Sequence, residues 1–264
     1  MGILNLTPDS FSDGGSHVDR GNAVHFALQM VRDGADIIDV GGESTRPGAK
    51  PVSASEQIRR VESVIASLRK TLPSGVPISI DTTCSEVAEA AVEAGASILN
   101  DVSAGRDDDG MFQLAARKQL PFILMHMQGT PLTMQKNPIY SDVVGEITSF
   151  LMERACLAQD KGIEKDSIVI DPGLGFGKTY EHNKKIMENL KCFVDTGYSV
   201  LLGASRKRFL GMINPEEEPK NLLGATCATT VLGVQAGVRI FRVHDVIANR
   251  HAADVANAIR PQII

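Results

Sequence analysis

Polar side chains that could bind a ligand or react stand directly after short apolar runs along this 264-residue chain. The clearest is Asp171, which follows the β-branched run 168–170 and precedes Pro172 and three closely spaced glycines. A carboxylate at the end of a buried strand must be paired, bound to a ligand or open to a cleft, because burying it bare is costly. The same pattern recurs at six further positions: Asn5, Asp81, Asn100, Lys207, Arg242 and His244.

The chemistry of these residues suits a flat heterocycle with several N–H donors and an attached anion. Asp81, Asn100 and Asp171 offer acceptors, and one carboxylate can accept two N–H groups at once. Arg242 and His244 are two residues apart on a predicted strand, so they share a face and form a basic pair suited to phosphate. The residues do not name a reaction, and the sequence shows no obvious nucleophile–base pair.

Each residue type also has a structural explanation when it is taken alone. Asparagine is common in turns, aspartate caps helices, and a lone lysine or histidine is more often structural than functional. Seven such groups that all follow predicted strands are hard to explain as coincidence. We therefore favour one shared functional site.

Eight predicted strands, each followed by a helical pattern, would position these side chains. The strands are predicted at residues 2–5, 36–40, 77–80, 97–99, 122–125, 168–170, 200–202 and 239–243. This alternation, in a chain close to the ~250 residues typical of the fold, predicts an α/β protein that forms a single (β/α)₈ TIM barrel over residues 1–264. The carboxyl ends of barrel strands meet on one face, so the polar residues should surround one pocket.

Helix signals accompany the strands. Capping-box patterns occur at Ser53 with Glu56 and at Thr83 with Glu86. The longest predicted helix, which follows strand five, has a core stripe of Ile147, Leu151, Ala155 and Ala158.

A doubly wound open sheet is the rival architecture, but the loop after strand one lacks the G-x-G-x-x-G phosphate motif. The end of the glycine segment, Gly177-Lys178-Thr179, looks like a Walker A loop. That motif requires glycine where Pro172 stands, so it is rejected.

Composition narrows the function classes. The formal net charge of −5 and the pI near 5.7 argue against a nucleic-acid partner. No apolar window is long enough for a membrane span, and no basic leader precedes an apolar run. The four cysteines are far apart without metal-type spacing, which predicts reduced thiols and a cytoplasmic protein.

Five segments resemble the signature sequences of the dihydropteroate synthase family. They are GILNLTPDSFSDG at 2–14, GGESTRP at 41–47, DPGLGFGK at 171–178, SRK at 205–207 and RVHD at 242–245. The resemblance implies a TIM-barrel transferase of folate biosynthesis that condenses 6-hydroxymethyl-7,8-dihydropterin diphosphate with para-aminobenzoate. It also implies Mg²⁺ as cofactor, a homodimer, and inhibition by sulfonamides.

The resemblance further implies roles for individual residues. Asp81, Lys207 and Arg242 would be catalytic, and Asn5 would bind Mg²⁺. The residues that would bind the pterin diphosphate are Thr45, Asp81, Asn100, Met125, Asp171, Lys207, Arg242 and His244. Those that would bind para-aminobenzoate are Phe11, Arg46, Pro47, Phe176 and Ser205. The implied mechanism is dissociative: diphosphate leaves, the pterin methylene becomes cation-like, and the arylamine attacks without a strong general base.

Two alternatives remain open beside this interpretation. A pterin-binding methyltransferase domain would share the barrel and the pterin-edge residues, but it does not need the loop 5–15 or the basic pair. A non-catalytic barrel would keep the fold and the pterin pocket without the activity. Formation of product from the two substrates separates the three hypotheses.

The helix after strand seven lies in a stretch, 222–238, that contains no charged residue. A barrel helix normally has a polar face toward water, so this stretch predicts a helix covered on both sides. Tight packing between neighbouring helices would also explain it. We favour a two-fold dimer near this helix, and Thr230 is predicted to point outward.

Overall fold

Eight parallel strands form the centre of the computed structural model, which describes residues 1–6, 16–213, 215 and 218–259. Each strand pairs with the next along the chain. The strands are Gly2–Asn5 (β1), Ile38–Gly41 (β2), Ile78–Asp81 (β3), Ile98–Asp101 (β4), Phe122–Met125 (β5), Ile168–Asp171 (β6), Ser199–Leu202 (β7) and Ile240–Phe241 (β8). A parallel bridge between Gly2 and Val243 joins the last strand to the first. The predicted (β/α)₈ barrel is confirmed.

Helices surround the strands. They are Ser16–Arg32 (α1), Ala54–Thr71 (α2), Ser85–Ala94 (α3), Gly110–Lys118 (α4), Val143–Asp160 (α5), Tyr180–Glu188 (α6), Leu190–Val194 (α7), Arg208–Ile213 (α8), Leu223–Ala236 (α9) and Val246–Ala258 (α10). The stripe predicted for α5 is buried at all four positions, because residues three or four apart share one face of a helix. No helix in the described ranges is long and apolar enough to cross a membrane.

One predicted capping box forms in part. The Ser53 hydroxyl accepts a hydrogen bond from the backbone N–H of Glu56 at 3.4 Å and caps α2. The Glu56 side chain does not complete the box, because it forms ion pairs with Arg59 and Arg60.

The second predicted capping box is wrong. The N-cap of α3 is Cys84, and neither Thr83 nor Glu86 caps the helix. The backbone N–H of Ser85 instead donates to the carboxylate of Asp108 at 2.7 Å. A residue distant in sequence has replaced the local cap, which a local motif cannot reveal.

The predicted orientation of Thr230 is also wrong. This residue of α9 is 2% exposed, and its hydroxyl donates to the Asn249 side chain on α10 at 2.7 Å. The outward face of α9 instead carries Leu232, which is 51% exposed. Because the helix lacks charge on all sides, the sequence pattern could not distinguish its two faces.

The strand register brings the predicted polar residues to one level. Asn5 pairs with Gly41, Gly41 with Asp81, and Asp81 with Asn100 across β1 to β4. On the next pair of strands, Met125 lies beside Asp171. The last strand is shorter than predicted, so Arg242 and His244 follow β8 and do not lie within it.

Two loops at this end of the barrel approach each other closely. Gly173 has a φ of 68°, which favours glycine, and a Cβ added to it would overlap the carbonyl oxygen of His126. A Cβ at Gly177 would lie 2.6 Å from the carbonyl oxygen of Gln128. The backbone after β6 therefore packs directly against the backbone after β5.

Replacing Gly173 with alanine is expected to lower the free energy of unfolding by at least ~2 kcal/mol. Alanine is strained in the left-handed conformation of this residue, and its Cβ overlaps a neighbouring backbone atom. The matched control is Gly21→Ala in α1, where a Cβ would meet nothing within 4 Å. That change should raise stability by about 0.5–1 kcal/mol. Chemical denaturation measures both, and equal effects would contradict the packing described here.

Candidate active site

A cavity of about 850 Å³ opens at the carboxyl ends of the strands. Every described residue that the sequence analysis assigned to the site lines it: Asn5, Thr45, Arg46, Pro47, Asp81, Asn100, Met125, Asp171, Phe176, Ser205, Lys207, Arg242 and His244. Phe11, which was also predicted for the site, lies outside the described residues. The structure thus brings the other predicted residues together in one pocket.

A buried ion cluster lies at the inner end of the site. The Arg242 guanidinium donates through Nε to Asp39 and through Nη2 to Asp81, with both distances at 2.7 Å. The side-chain amide of Asn100 donates to both oxygens of Asp39 at 3.3 and 3.4 Å. The Asp39 carboxylate therefore holds both Arg242 and Asn100, two residues that were predicted to bind substrate.

The sequence analysis missed Asp39. This residue lies within β2, between Ile38 and Val40, and its side chain is fully buried. An acid inside an apolar strand was a visible signal, because such a group needs a partner in the core. Its partner Arg242 is distant in sequence, so the pairing itself could not be inferred.

Asp81 has one oxygen engaged and one without a partner. Burial raises the pKa of its carboxyl to about 7, although the adjacent Arg242 acts in the opposite direction. Within the described part of the chain, Asp81 Oδ1 is one of two buried side-chain polar atoms that make no hydrogen bond, the other being Ser79 Oγ. An unpaired buried acceptor in a ligand cavity is available to an N–H donor of the ligand.

Asp171 ends β6 as the sequence predicted. Its Oδ1 accepts the backbone N–H of Gly173 at 2.7 Å, which fixes the first turn of the glycine segment. Burial raises the pKa of this carboxyl to about 6. Asp171 and Asp81 thus retain their protons at higher pH than exposed acids do.

Lys207 follows β7 and faces an aromatic ring. Its ammonium lies 4.0 Å from the ring centroid of Phe176, a distance typical of a cation–π contact. Burial and the nearby Arg242 charge lower the pKa of Lys207 to about 8. Phe176 itself packs against an apolar cluster of Val102, Met125, Met127 and Met134.

His244 forms a hydrogen bond with Ser205, a contact that the sequence did not reveal. The Ser205 hydroxyl lies 3.0 Å from Nδ1 of His244 and accepts the backbone N–H of the same residue at 3.2 Å. Burial, followed by the charges of Arg206 and Arg242, lowers the pKa of His244 to about 4. Such a weak base does not activate a hydroxyl at neutral pH, so the contact positions the two side chains.

The charge of the predicted basic pair therefore resides on Arg242, since His244 is neutral at pH 7 while no anion is bound. The loops after β7 and β8 are further joined by Arg206, whose guanidinium forms two hydrogen bonds with Asp245 at 3.0 and 2.6 Å. The loops after β7 and β8, which would face an anion, are therefore held together without a bound ligand.

The described residues contain no group of three or more His, Cys, Asp or Glu side chains that could hold a metal ion. Mg²⁺ is commonly bound by one or two protein oxygens together with substrate phosphates and water. The amide oxygen of Asn5 lines the cavity and is a suitable oxygen ligand of that kind. The donor set fits a metal that is bound jointly with a phosphorylated substrate.

Comparison with known proteins identifies the family of this chain. The sequence profile of the family described as pterin binding enzymes matches residues 1–244. A dihydropteroate synthase from Synechocystis is 44% identical over 98% of this chain and 89% of its own length. Among solved structures, a dihydropteroate synthase from Xanthomonas albilineans with 4-aminobenzoic acid has a TM-score of 0.92 and 42% identity, covering 100% of this chain and 93% of its own.

A second solved structure is the dihydropteroate synthase from Yersinia pestis in complex with a sulfonamide drug. It has a TM-score of 0.92 and 38% identity, and the match covers 98% of this chain and 93% of that one. The family profile and the relatives span nearly the whole barrel, including the strands that carry the cavity residues. The chain therefore belongs to the pterin-binding enzyme family, which includes the dihydropteroate synthases that it resembles.

Proposed function

We propose that this protein transfers the pterinylmethyl group of 6-hydroxymethyl-7,8-dihydropterin diphosphate to para-aminobenzoate, giving 7,8-dihydropteroate and diphosphate. The observation that carries the proposal is the arrangement of charge in the cavity. Buried acceptors on β3, β4 and β6 share one pocket with Lys207, Arg242 and His244, which follow β7 and β8. The relatives' names state the same activity.

The acceptors would bind the amino-pyrimidine edge of the pterin. Asp81, Asn100 and Asp171 are nearly fully buried at the ends of their strands, and the N–H donors of the pterin would satisfy them. Met125 lies beside Asp171 in the sheet and would pack against the ring. Lys207 is placed to donate to the ring's carbonyl side.

The diphosphate would contact the opposite part of the pocket. Arg242 uses Nε and Nη2 for Asp39 and Asp81, so its Nη1 donors remain available to an anion without loss of either carboxylate. His244 would gain a proton or donate its ring N–H as the anion raises its low pKa. Thr45, in the loop after β2, also lines this part of the cavity.

In the transfer, the bond between the pterin methylene carbon and the diphosphate oxygen breaks, and a bond from the arylamine nitrogen to that carbon forms. Arg242 holds the departing negative charge, while the nearby carboxylate of Asp81 stabilises positive charge on the pterin. The arylamine then loses a proton to solvent or diphosphate, so no strong base is needed.

Mg²⁺ would be held by Asn5 together with the diphosphate oxygens, and when bound it would withdraw charge from the leaving group. The amide of Asn5 stands at the end of β1, level with Asp81 in the register. Asn5 would thus hold the metal ion at the inner edge of the anion pocket.

The para-aminobenzoate site would lie beyond the pterin. Phe176 and Ser205 border it from the loops after β6 and β7, and Arg46 and Pro47 border it from the exposed loop after β2. Phe11 is proposed for the same site on the resemblance alone. Sulfonamides, one of which is bound in the Yersinia pestis relative, would occupy this place.

A cytoplasmic location is proposed as well. All four cysteines, Cys84, Cys156, Cys192 and Cys227, are free thiols, as is usual in a reducing compartment.

A homodimer through α9 and α10 is the proposed assembly. The outward side chains of this helix pair include Leu223, Leu232, Ile247 and Val255, which are 37–59% exposed. α9 carries no charged residue, so its outward face lacks the polar surface that a water-facing helix has. A second copy related by two-fold symmetry would cover the same patch on both subunits.

The proposed function predicts that purified protein with both substrates and Mg²⁺ forms 7,8-dihydropteroate, as measured by chromatography. Asp171→Ala should abolish pterin binding in calorimetry, because each buried donor left unpaired costs roughly 1–3 kcal/mol. Lys184→Met, at an exposed site on α6, is the control. Binding of pterin without product formation would support the non-catalytic alternative instead.

Pterin binding should also depend on pH. The Asp171 carboxyl, with a pKa of about 6, must be ionised to accept two N–H groups, so the bound pterin lowers this pKa and releases protons. Affinity is expected to rise about tenfold between pH 5 and pH 8 from this group alone. Calorimetry with 6-hydroxymethyl-7,8-dihydropterin, which lacks titrating phosphates, measures it. Tightest binding at pH 5 would contradict the assignment.

The dimer proposal predicts a mass of about twice 28.3 kDa in light scattering at micromolar concentration. Leu232→Glu should shift the mass toward the monomer, because it places a charge in the covered patch. Ile139→Glu, at a residue 66% exposed in the loop after β5, should leave the mass unchanged. A parent chain that is already monomeric at that concentration would refute the interface.

A further inference from the structure

Lys178 lines the cavity but has no role in the proposed reaction. Its side chain is only 3% exposed, at the end of the glycine loop, defined here as residues 172–179. Its Nζ lies 2.9 Å from Nδ1 of His126, 3.3 Å from the His126 carbonyl oxygen and 2.9 Å from the Phe176 carbonyl oxygen. Three acceptors therefore surround this amino group, and burial lowers the pKa of Lys178 well below its usual range.

His126 is the second member of this buried pair. Burial and the adjacent Lys178 lower its pKa to about 2, so the imidazole is neutral. In the tautomer whose Nδ1 carries no proton, this nitrogen accepts a hydrogen bond from Lys178. The ring is held edge-on against Phe150 at 5.0 Å between centroids. The histidine therefore offers Lys178 a fixed acceptor on the loop after β5.

The pair joins two loops that two further side chains also connect. From the loop after β5, the Tyr140 hydroxyl donates to the Gly177 carbonyl oxygen at 2.8 Å, and the Gln135 amide donates to the Gly175 carbonyl oxygen at 2.7 Å. Lys178 provides the bond to the carbonyl oxygen between them, on Phe176. Each carbonyl from Gly175 to Gly177 thus has a side-chain donor.

Phe176 is the residue whose position this arrangement determines. Its ring lies over the Lys207 ammonium, and a Cβ at the neighbouring Gly175 would come within 3.1 Å of the Lys207 side chain. Release of the Phe176 carbonyl would let the ring move relative to Lys207. The strand residues Asp81 and Asn100 are fixed by the sheet and would not move with it.

We propose that Lys178 and His126 are positioning residues for the arylamine half of the site, acting through the backbone of Phe176. They determine how well para-aminobenzoate binds without contacting it. This inference rests on the proposed function, because it assumes that Phe176 borders the para-aminobenzoate site. A lysine that served stability alone would leave the relative KM values of the two substrates unchanged.

The first test is Lys178→Met, which keeps the length of the side chain and removes its donors. The KM for para-aminobenzoate should rise about tenfold, the effect of one lost hydrogen bond. The KM for the pterin diphosphate should change less than about threefold. Lys184→Met, at the exposed lysine of α6, is the matched control and should alter neither value.

His126 provides a pair of variants that does not depend on the folding of Lys178→Met. His126→Asn retains an acceptor near the position of Nδ1, whereas His126→Leu removes it at similar volume. Asparagine should preserve the KM for para-aminobenzoate to within about threefold, and leucine should raise it about as much as Lys178→Met. Equal KM values in the two variants would overturn the proposal.

A double-mutant cycle with Phe176→Leu tests the route of the effect. If Lys178 acts through Phe176, Lys178→Met should add little to the KM change of Phe176→Leu, so the effects are not additive. Additive effects, or equal increases in both KM values for Lys178→Met, would refute the positioning role. Product formation by the parent protein is measured in the same assays. A parent protein that forms no product would refute the proposed function, whereas an active parent with the contrary KM changes would refute only this inference.

Discussion

The contact of Arg242 with two buried carboxylates is the interaction on which the rest of the site depends. Asp39 is fully buried and Asp81 is 6% exposed, and burial of two carboxylates is costly unless a compensating charge lies beside them. Removing one member of such a cluster typically costs 3–5 kcal/mol, because the remaining charge is left unpaired. The guanidinium suits this place because it has five donors in a fixed plane, so it can serve both carboxylates and retain donors for a ligand.

The barrel explains how residues so distant in sequence meet. Asp39 and Arg242 are 203 positions apart, and they become neighbours because the chain closes β8 against β1 through the Gly2–Val243 bridge. The register of β1 to β4 then places Asn5, Asp81 and Asn100 on one level. The loops beyond the strands are fixed in pairs, by Arg206 with Asp245 and by Lys178 with His126. The part of the pocket that the described residues form is consequently preorganised.

The features predicted from the sequence are those with a local cause. Strands such as Gly2–Asn5 and Phe122–Met125 were predicted with their observed bounds, because a short apolar run between turn residues is informative by itself. Strand-end residues such as Asp171 were found for the same reason. The fold followed from the repetition of this pattern along the chain.

What could not be predicted depends on partners distant in sequence. The role of Asp39 requires Arg242, the cap of α3 requires Asp108, and the contact of Ser205 with His244 joins two loops 39 residues apart. Thr230 was placed outward because a helix without charge gives no signal for its inner face. These features share one cause. Contacts between residues distant in sequence decide them, and the local sequence does not show which residues will be in contact.

The same buried cluster also explains why one pocket suits both a donor-rich pterin and a charged leaving group. After Arg242 has bound Asp39 and Asp81, one acceptor remains on Asp81 Oδ1 and donors remain on Arg242 Nη1. The cluster thus presents an acceptor for a donor-rich ring and donors for an anion side by side. As the bond to diphosphate breaks, positive charge grows near the carboxylate and negative charge near the guanidinium. Fixed groups that already have this polarity need little rearrangement, which is the condition under which electrostatic stabilisation of a dissociative transfer is most effective.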